Sequence, residues 1–209
     1  PNLLDTIYIC QQRQEWYRDF ALSAGDAPLP FIGTADLTSP VETTAARIRT
    51  TLGFDLDERR MLPTWTEALR RFVVQADEAG VLVMVSGVVG GNAHRKLDPD
   101  EFRGFVLSDG YAPLVFINGS DTKSAQMFTL AHEIAHLWLG ESALSDVVPT
   151  AIPANRVESW CNRVAAEVLV PLDILRREYR ADADLCEETK RLAKRFKVST
   201  LVILRRIFD

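Results

Sequence analysis

The residues best suited to chemistry are His132-Glu133-Ile134-Ala135-His136. On a helix, residues four apart project only about 40° from one another, so the two imidazoles share a face and can hold one metal ion. Glu133 is turned about 100° from His132, beside that face, where a carboxylate serves as a base and not as a ligand. Two imidazoles with an adjacent glutamate suit zinc, which polarises a carbonyl and acidifies a water whose proton the glutamate takes. With 3 His in 209 residues, the pattern arises by chance roughly 0.003 times in a chain of this composition. The same helix carries Met127, Leu130, Ala131, Ile134 and Trp138, which predicts burial; buried imidazoles need polar partners, and a metal supplies one.

A catalytic zinc takes three protein ligands and keeps one position open, and two His with one carboxylate is a recurring set. The segment 156–170, ended by Pro171, reads as a helix offering Glu158 and Glu167. Nine residues place these about 180° apart, so only one can face the metal. Asn162 at i+4 and the small Ala165 and Ala166 favour the Glu158 face, while Arg163 makes an ordinary surface pair for Glu167. The choice stays open between them, as does another acid. Asn162, Tyr111 and His94 are candidates for support or for stabilising an oxyanion; His94, in the charged loop, reads more readily as a solvated loop residue.

The elements that must position this helix follow from periodicity. Residues 81–85 read as a β-branched strand after a helix over 64–79 with Gly80 as its stop. Two further strands, 104–107 and 113–118, flank Ser108-Asp109-Gly110-Tyr111, a hairpin signal. The second of these leads into the metal-binding helix at 124–139 and could take up an extended peptide by strand addition or, equally, lie as an ordinary interior strand. Residues 88–102 read as an irregular loop. Helices are expected at 7–23 and 41–52, joined by a Pro-, Gly-, Ser- and Thr-rich connector. The fold expected is therefore α+β: a small sheet of three or more strands, antiparallel or mixed, packed on the histidine-bearing helix, with more helices at both termini. Residues 1–60 would form a helical appendage and 61–209 the metallopeptidase-like domain with a helical tail.

Composition narrows the classes. A net charge of -5 provides no general attraction for nucleic acid. Seven basic residues lie between Lys190 and Arg206, in a stretch with the rhythm of two helices joined by a Ser-capped turn. That rhythm suits a DNA-reading motif, but the apolar residues Leu201, Val202, Leu204 and Ile207 are equally suited to closing a core. The apolar stretches 81–85 and 114–117 are too short to span a bilayer, and no charged-then-apolar leader opens the sequence. Cys10, Cys161 and Cys186 are odd in number and far apart, against both a disulfide framework and a thiolate metal site. A reducing, cytoplasmic setting is expected, and the start at Pro1 without Met suggests a fragment or a processed product.

Residues 128–137 and 158–171 resemble the two signature segments of the ImmA/IrrE family of metallopeptidases, in the right order. The resemblance extends over about residues 64–180. It implies that His132, His136 and the glutamate opening the second segment, Glu158, bind zinc, and that Glu133 is the catalytic base. Val164 and Val170 stand where Phe and Met are usual, which changes packing volume and not ligation. The resemblance further implies a cytoplasmic zinc endopeptidase acting on a repressor or antitoxin-like regulator in stress response or mobile-element control. It also implies that this is the C-terminal part of a fusion in which a helix-turn-helix domain precedes Pro1 and supplies the DNA binding. The alternative is a non-hydrolytic zinc-containing sensor module of a transcription regulator; an intact Glu133 weighs against it.

Overall fold

The computed structural model describes residues 2–145 and 156–209. In chain order the elements are α1 (Asn2–Ala24), α2 (Val41–Leu52), α3 (Leu56–Met61), α4 (Trp65–Glu78), β1 (Leu82–Ser86), β2 (Val88–Val89), β3 (Asn92–Lys96), β4 (Gly104–Leu107), β5 (Leu114–Asn118), α5 (Lys123–Leu139), β6 (Ala143–Ser145), α6 (Arg156–Leu169), α7 (Leu172–Glu178), α8 (Leu185–Phe196) and α9 (Thr200–Phe208). The architecture is α+β. The main sheet has four strands in the order β1-β5-β4-β6 and is mixed: β1 runs parallel to β5, with Val83 opposite Val115, and the other pairs are antiparallel, with Phe105 opposite Phe116. No helix among the described residues is long and apolar enough to cross a membrane.

The expected hairpin is present as β4 and β5, and its turn is set by Asp109, whose side chain accepts from the backbone N–H groups of Tyr111 and Ala112. Pairing on both sides decides between the two readings of this segment: β5 is an interior strand with all five residues buried, so it has no free edge for a peptide. Residues 88–102 are likewise more ordered than a loop. β2 and β3 form an antiparallel hairpin in which Gly90 and Gly91 both take positive φ, 54° and 81°. Two such residues suit the mirror-image turn whose twist matches paired strands. The polar Asn92-Ala93-His94-Arg95-Lys96 strand lies mostly exposed, so no apolar alternation betrays it.

The sheet separates two apolar clusters. On one face Cys10 of α1 packs with Phe105, Phe116 and Phe102; on the other, α2, α4, α5, α6, α8 and α9 enclose the main core. Val41, Ala45, Ile48 and Leu52 belong to that core, so α2 packs within the same apolar interior as α5 and α6. α5 lies at its centre: every residue from Gln126 to Trp138 is buried. Trp138 stacks on Phe31 of the connector at 4.5 Å between ring centroids.

The tail folds as two helices about Ser199, whose side chain accepts from Val202 N–H. Four of its seven basic residues are committed to acids: Lys190 to Glu187, Arg191 to Glu188, Arg195 to Asp57 and Glu178, and Arg206 to Glu167 and Asp209. Val202 and Ile203 are buried in the main core.

Candidate metal centre

The turn from β5 into α5 fixes where the helix begins. Asn118 donates its side-chain amide to the Phe102 carbonyl, Arg103 pairs with Asp121 at 2.6 Å, and Thr122 caps the helix by accepting from Ala125 N–H. Gln126, in the first turn and fully buried, donates to the carbonyls of Gly119 and Asp121. These bonds anchor α5 against the ends of β4 and β5, and the histidines follow two and three turns later.

His132 and His136 are fully buried on α5, and Glu158 comes to them from the first turn of α6. The Nε2 atoms of the two histidines lie 3.1 Å apart. Glu158 Oε2 is 3.1 Å from His132 Nε2, and Glu158 Oε1 is 3.3 Å from His136 Nε2. Two atoms each 2.0–2.1 Å from a tetrahedral zinc stand about 3.3 Å apart, so the three donors describe one face of such a shell. Among the described residues this is the one group of three or more His, Cys, Asp or Glu side chains gathered closely enough to hold a metal.

The protonation states suit a dication. Burial pushes His132 below the usual imidazole range, opposed by the hydrogen bond to Glu158, so its ring favours the neutral, ligating form. Hydrogen bonds to His132 and then His136 hold the Glu158 carboxyl far below its ordinary value, so it is ionised. Cys161, one turn from Glu158, is pushed up by burial and then by the nearby carboxylates; it remains a thiol and adds no thiolate ligand.

Glu133 points toward the sheet. A Cβ placed on Gly104 of β4 would lie 3.2 Å from Glu133 Oε1, 2.6 Å from Thr129 Cγ2 and 2.8 Å from the Phe116 carbonyl oxygen. Only a strand residue without a side chain admits α5 this close, so Gly104 sets how deeply Glu133 sits beside the histidines. Sequence reading passed over Gly104, although an isolated glycine within a strand signals close approach of a neighbour.

The remaining candidates fall as follows. Asn162, one turn beyond Glu158, is close enough to His132 to favour its protonated form, and it lines a cavity of about 390 Å³ shared with Phe128, Ala166 and Leu172. Tyr111 sits in the β4–β5 turn and His94 is exposed on β3; neither belongs to the ligand group. Glu167 is not the surface partner of Arg163 that its spacing suggested. It is buried, accepts from Leu172 N–H and pairs with Arg206 of α9, because the turn at Pro171 folds the tail back over that side of α6. The helix therefore presents Glu158 to the histidines and Glu167 to the tail, as two acids half a turn apart must.

The comparison with protein families agrees with this geometry. The model of the IrrE N-terminal-like domain, a peptidase family, matches residues 76–208, more than half of the chain. The chain belongs to this family. No curated protein matches it. The family is of metallopeptidase type, which fits a donor set of two imidazoles and a carboxylate and implies a protein substrate in general terms.

Proposed function

We propose that the chain is a zinc-dependent endopeptidase in which His132, His136 and Glu158 hold the metal and Glu133 is the general base. The observation that carries this reading is the triangle of 3.1–3.3 Å between the three donor atoms, on a buried helix that brings a second carboxylate, Glu133, in the adjacent residue. Zinc bound there supplies Lewis acidity, polarising a scissile carbonyl and lowering the pKa of a water. The chain's own residues do the rest. Glu158, held ionised, gives the site a negative charge to set against the dication, and burial keeps His132 toward its neutral, ligating form. Glu133 accepts the proton of the attacking water at its carboxylate and passes it to the leaving amine. Thr129 and Gly104 hold α5 against β4 so that this carboxylate keeps its place. A site with this composition but only a structural duty needs no base beside the metal, which sets the non-hydrolytic sensor reading second.

The substrate follows from the resemblance noted above: a repressor or antitoxin-like regulatory protein, cut in the cytoplasm, with DNA contact provided by a separate helix-turn-helix domain. The deciding experiment measures zinc content and cleavage of candidate repressors by the parent and by Glu133→Gln. Gln preserves volume and removes the base, so about one zinc per chain with no cleavage is expected of the variant. Equal cleavage by both would end the assignment of Glu133, and absence of zinc from the parent would end that of the site.

A further inference from the structure

The main sheet ends, opposite β6, at β1, and no described residue pairs with the outer edge of that strand. Its sequence, Leu82-Val83-Met84-Val85-Ser86, is uncharged, yet none of its residues is buried, whereas every residue of β5 is. Leu82 N–H donates to the Pro113 carbonyl and the Ser86 carbonyl accepts from Gly119 N–H. Backbone groups alternate in direction along a strand, so those of Leu82, Met84 and Ser86 face β5 and those of Val83 and Val85 face outward. Val83 N–H is taken by Asp77 Oδ1 at 3.1 Å. The N–H of Val85 and the carbonyls of Val83 and Val85 remain directed at the open edge. Proteins blunt such edges with charge, proline or a covering element; here Asp77 blunts one donor only.

Beside this edge runs a groove walled by α1. One cavity of about 340 Å³ and another of about 270 Å³ share Arg13, Val83 and Met84, so they lie end to end along the strand. Trp16, 70% exposed, stands over the second, and Val85 of the strand is 42% exposed. Leu82 and Met84 turn their side chains to the α1 side, and Val83 turns to the main core side. The Arg13 guanidinium reaches Met84 Sδ at 3.9 Å and makes no ion pair among the described residues.

We propose that the β1 edge takes up an extended segment of a partner protein as an additional strand, with an acidic side chain on the α1 side paired to Arg13 and apolar side chains on the opposite face. The open ladder groups supply register-independent affinity, and Arg13 supplies the preference. A second copy of this chain fits less well: antiparallel self-pairing about Met84 would bring two Arg13 side chains together without a carboxylate between them. This surface lies on β1, two strands from Gly104 and Glu133, and the inference does not depend on the peptidase reading.

The test uses the full chain and a fluorescein-labelled Thr-Val-Glu-Val-Thr peptide, blocked at both ends, followed by fluorescence anisotropy. Saturable binding is expected, weakened at least about tenfold by Val85→Pro, which removes an outward donor that the sheet itself does not use and is therefore tolerated in an edge strand. Circular dichroism checks that this variant is folded. Arg13→Glu leaves the ladder intact and is expected to lose the Glu peptide and to gain the Thr-Val-Lys-Val-Thr peptide in its place. No saturable binding by the parent, equal binding by folded Val85→Pro, or an unchanged Glu-over-Lys preference in Arg13→Glu would overturn the proposal. So would a parent that sediments as a dimer and dissociates on Val85→Pro, which would assign the edge to a second copy.

Discussion

Replacing Gly104 by Ala tests the link between the sheet and the base most directly. The new Cβ would meet Thr129 Cγ2 at 2.6 Å and the Phe116 carbonyl oxygen at 2.8 Å, with Glu133 Oε1 at 3.2 Å. Carbon atoms settle at about 3.5–4.0 Å, so α5 must withdraw from β4 by about 1 Å or Thr129 must leave its rotamer. Overpacking of this kind costs about 1–3 kcal/mol, a fall in melting temperature of about 3–9 °C for a domain of this size. A displacement of about 1 Å at Glu133 lowers turnover on the order of 100-fold without touching a ligand. Differential scanning fluorimetry, zinc analysis and a cleavage assay on the same preparation separate these effects: lower stability, slower cleavage, retained zinc. Thr129→Ser removes the methyl group nearest to the intruding Cβ and should restore part of the lost stability in the double variant, the contact with the Phe116 carbonyl persisting. A Gly104→Ala protein that melts and turns over like the parent would refute the claim that α5 rests on β4 at this point.

Two more expectations concern the acids. Glu158→Gln should lose most bound zinc, since a neutral amide is the poorer ligand, while Glu167→Gln should keep the zinc and unfold more easily by about 2 kcal/mol, because it removes the more buried of the two carboxylates on Arg206 and leaves only Asp209; zinc content and urea midpoints measured together distinguish them, and the reverse pattern would mean that α6 is rotated by half a turn. Glu188 is held below the ordinary carboxylate range first by its hydrogen bonds from Arg191, with a further one from Arg180 N–H, so its contribution is fully present above about pH 4.5 and is lost as pH falls through the depressed folded value. Urea midpoints of the parent and Glu188→Gln should therefore differ at pH 7 and converge as pH falls through the depressed folded value; a constant gap would place the effect in packing.

What the sequence disclosed and what it concealed divide along a physical line. The histidine pair was legible because two imidazoles four apart on an apolar helix have few other uses, and Glu158 because a helix permits only one of two acids nine apart to face it. α2 ends where its Gly53 signal places it, and the β4–β5 hairpin follows from Asp-Gly between apolar runs. The concealed features are those whose cause lies far away in the chain. Glu167 looked like a surface partner of Arg163 because spacing within one helix cannot reveal Arg206, 39 residues on. β5 looked available to a peptide because nothing local says that β1 will cover one side of it. β3 escaped notice because an exposed strand needs no apolar alternation, and β2 because two residues are too few to show one; their signal was the pair of glycines alone.

Gly104 belongs to neither group, and it shows how the site is built. Its signal was local, an isolated glycine in a strand, but its meaning depended on which helix would lie above it. The three donors require α5 and α6 to meet within hydrogen-bonding distance, and that contact goes with the burial of α5 from Gln126 to Trp138. A helix packed this tightly on a sheet has no room for a glutamate on the sheet side unless the strand beneath gives up a side chain. The glutamate at 133 and the absence of a side chain at Gly104 are thus two halves of one requirement: a carboxylate kept beside the three donors without joining their group, as the proposed base must be.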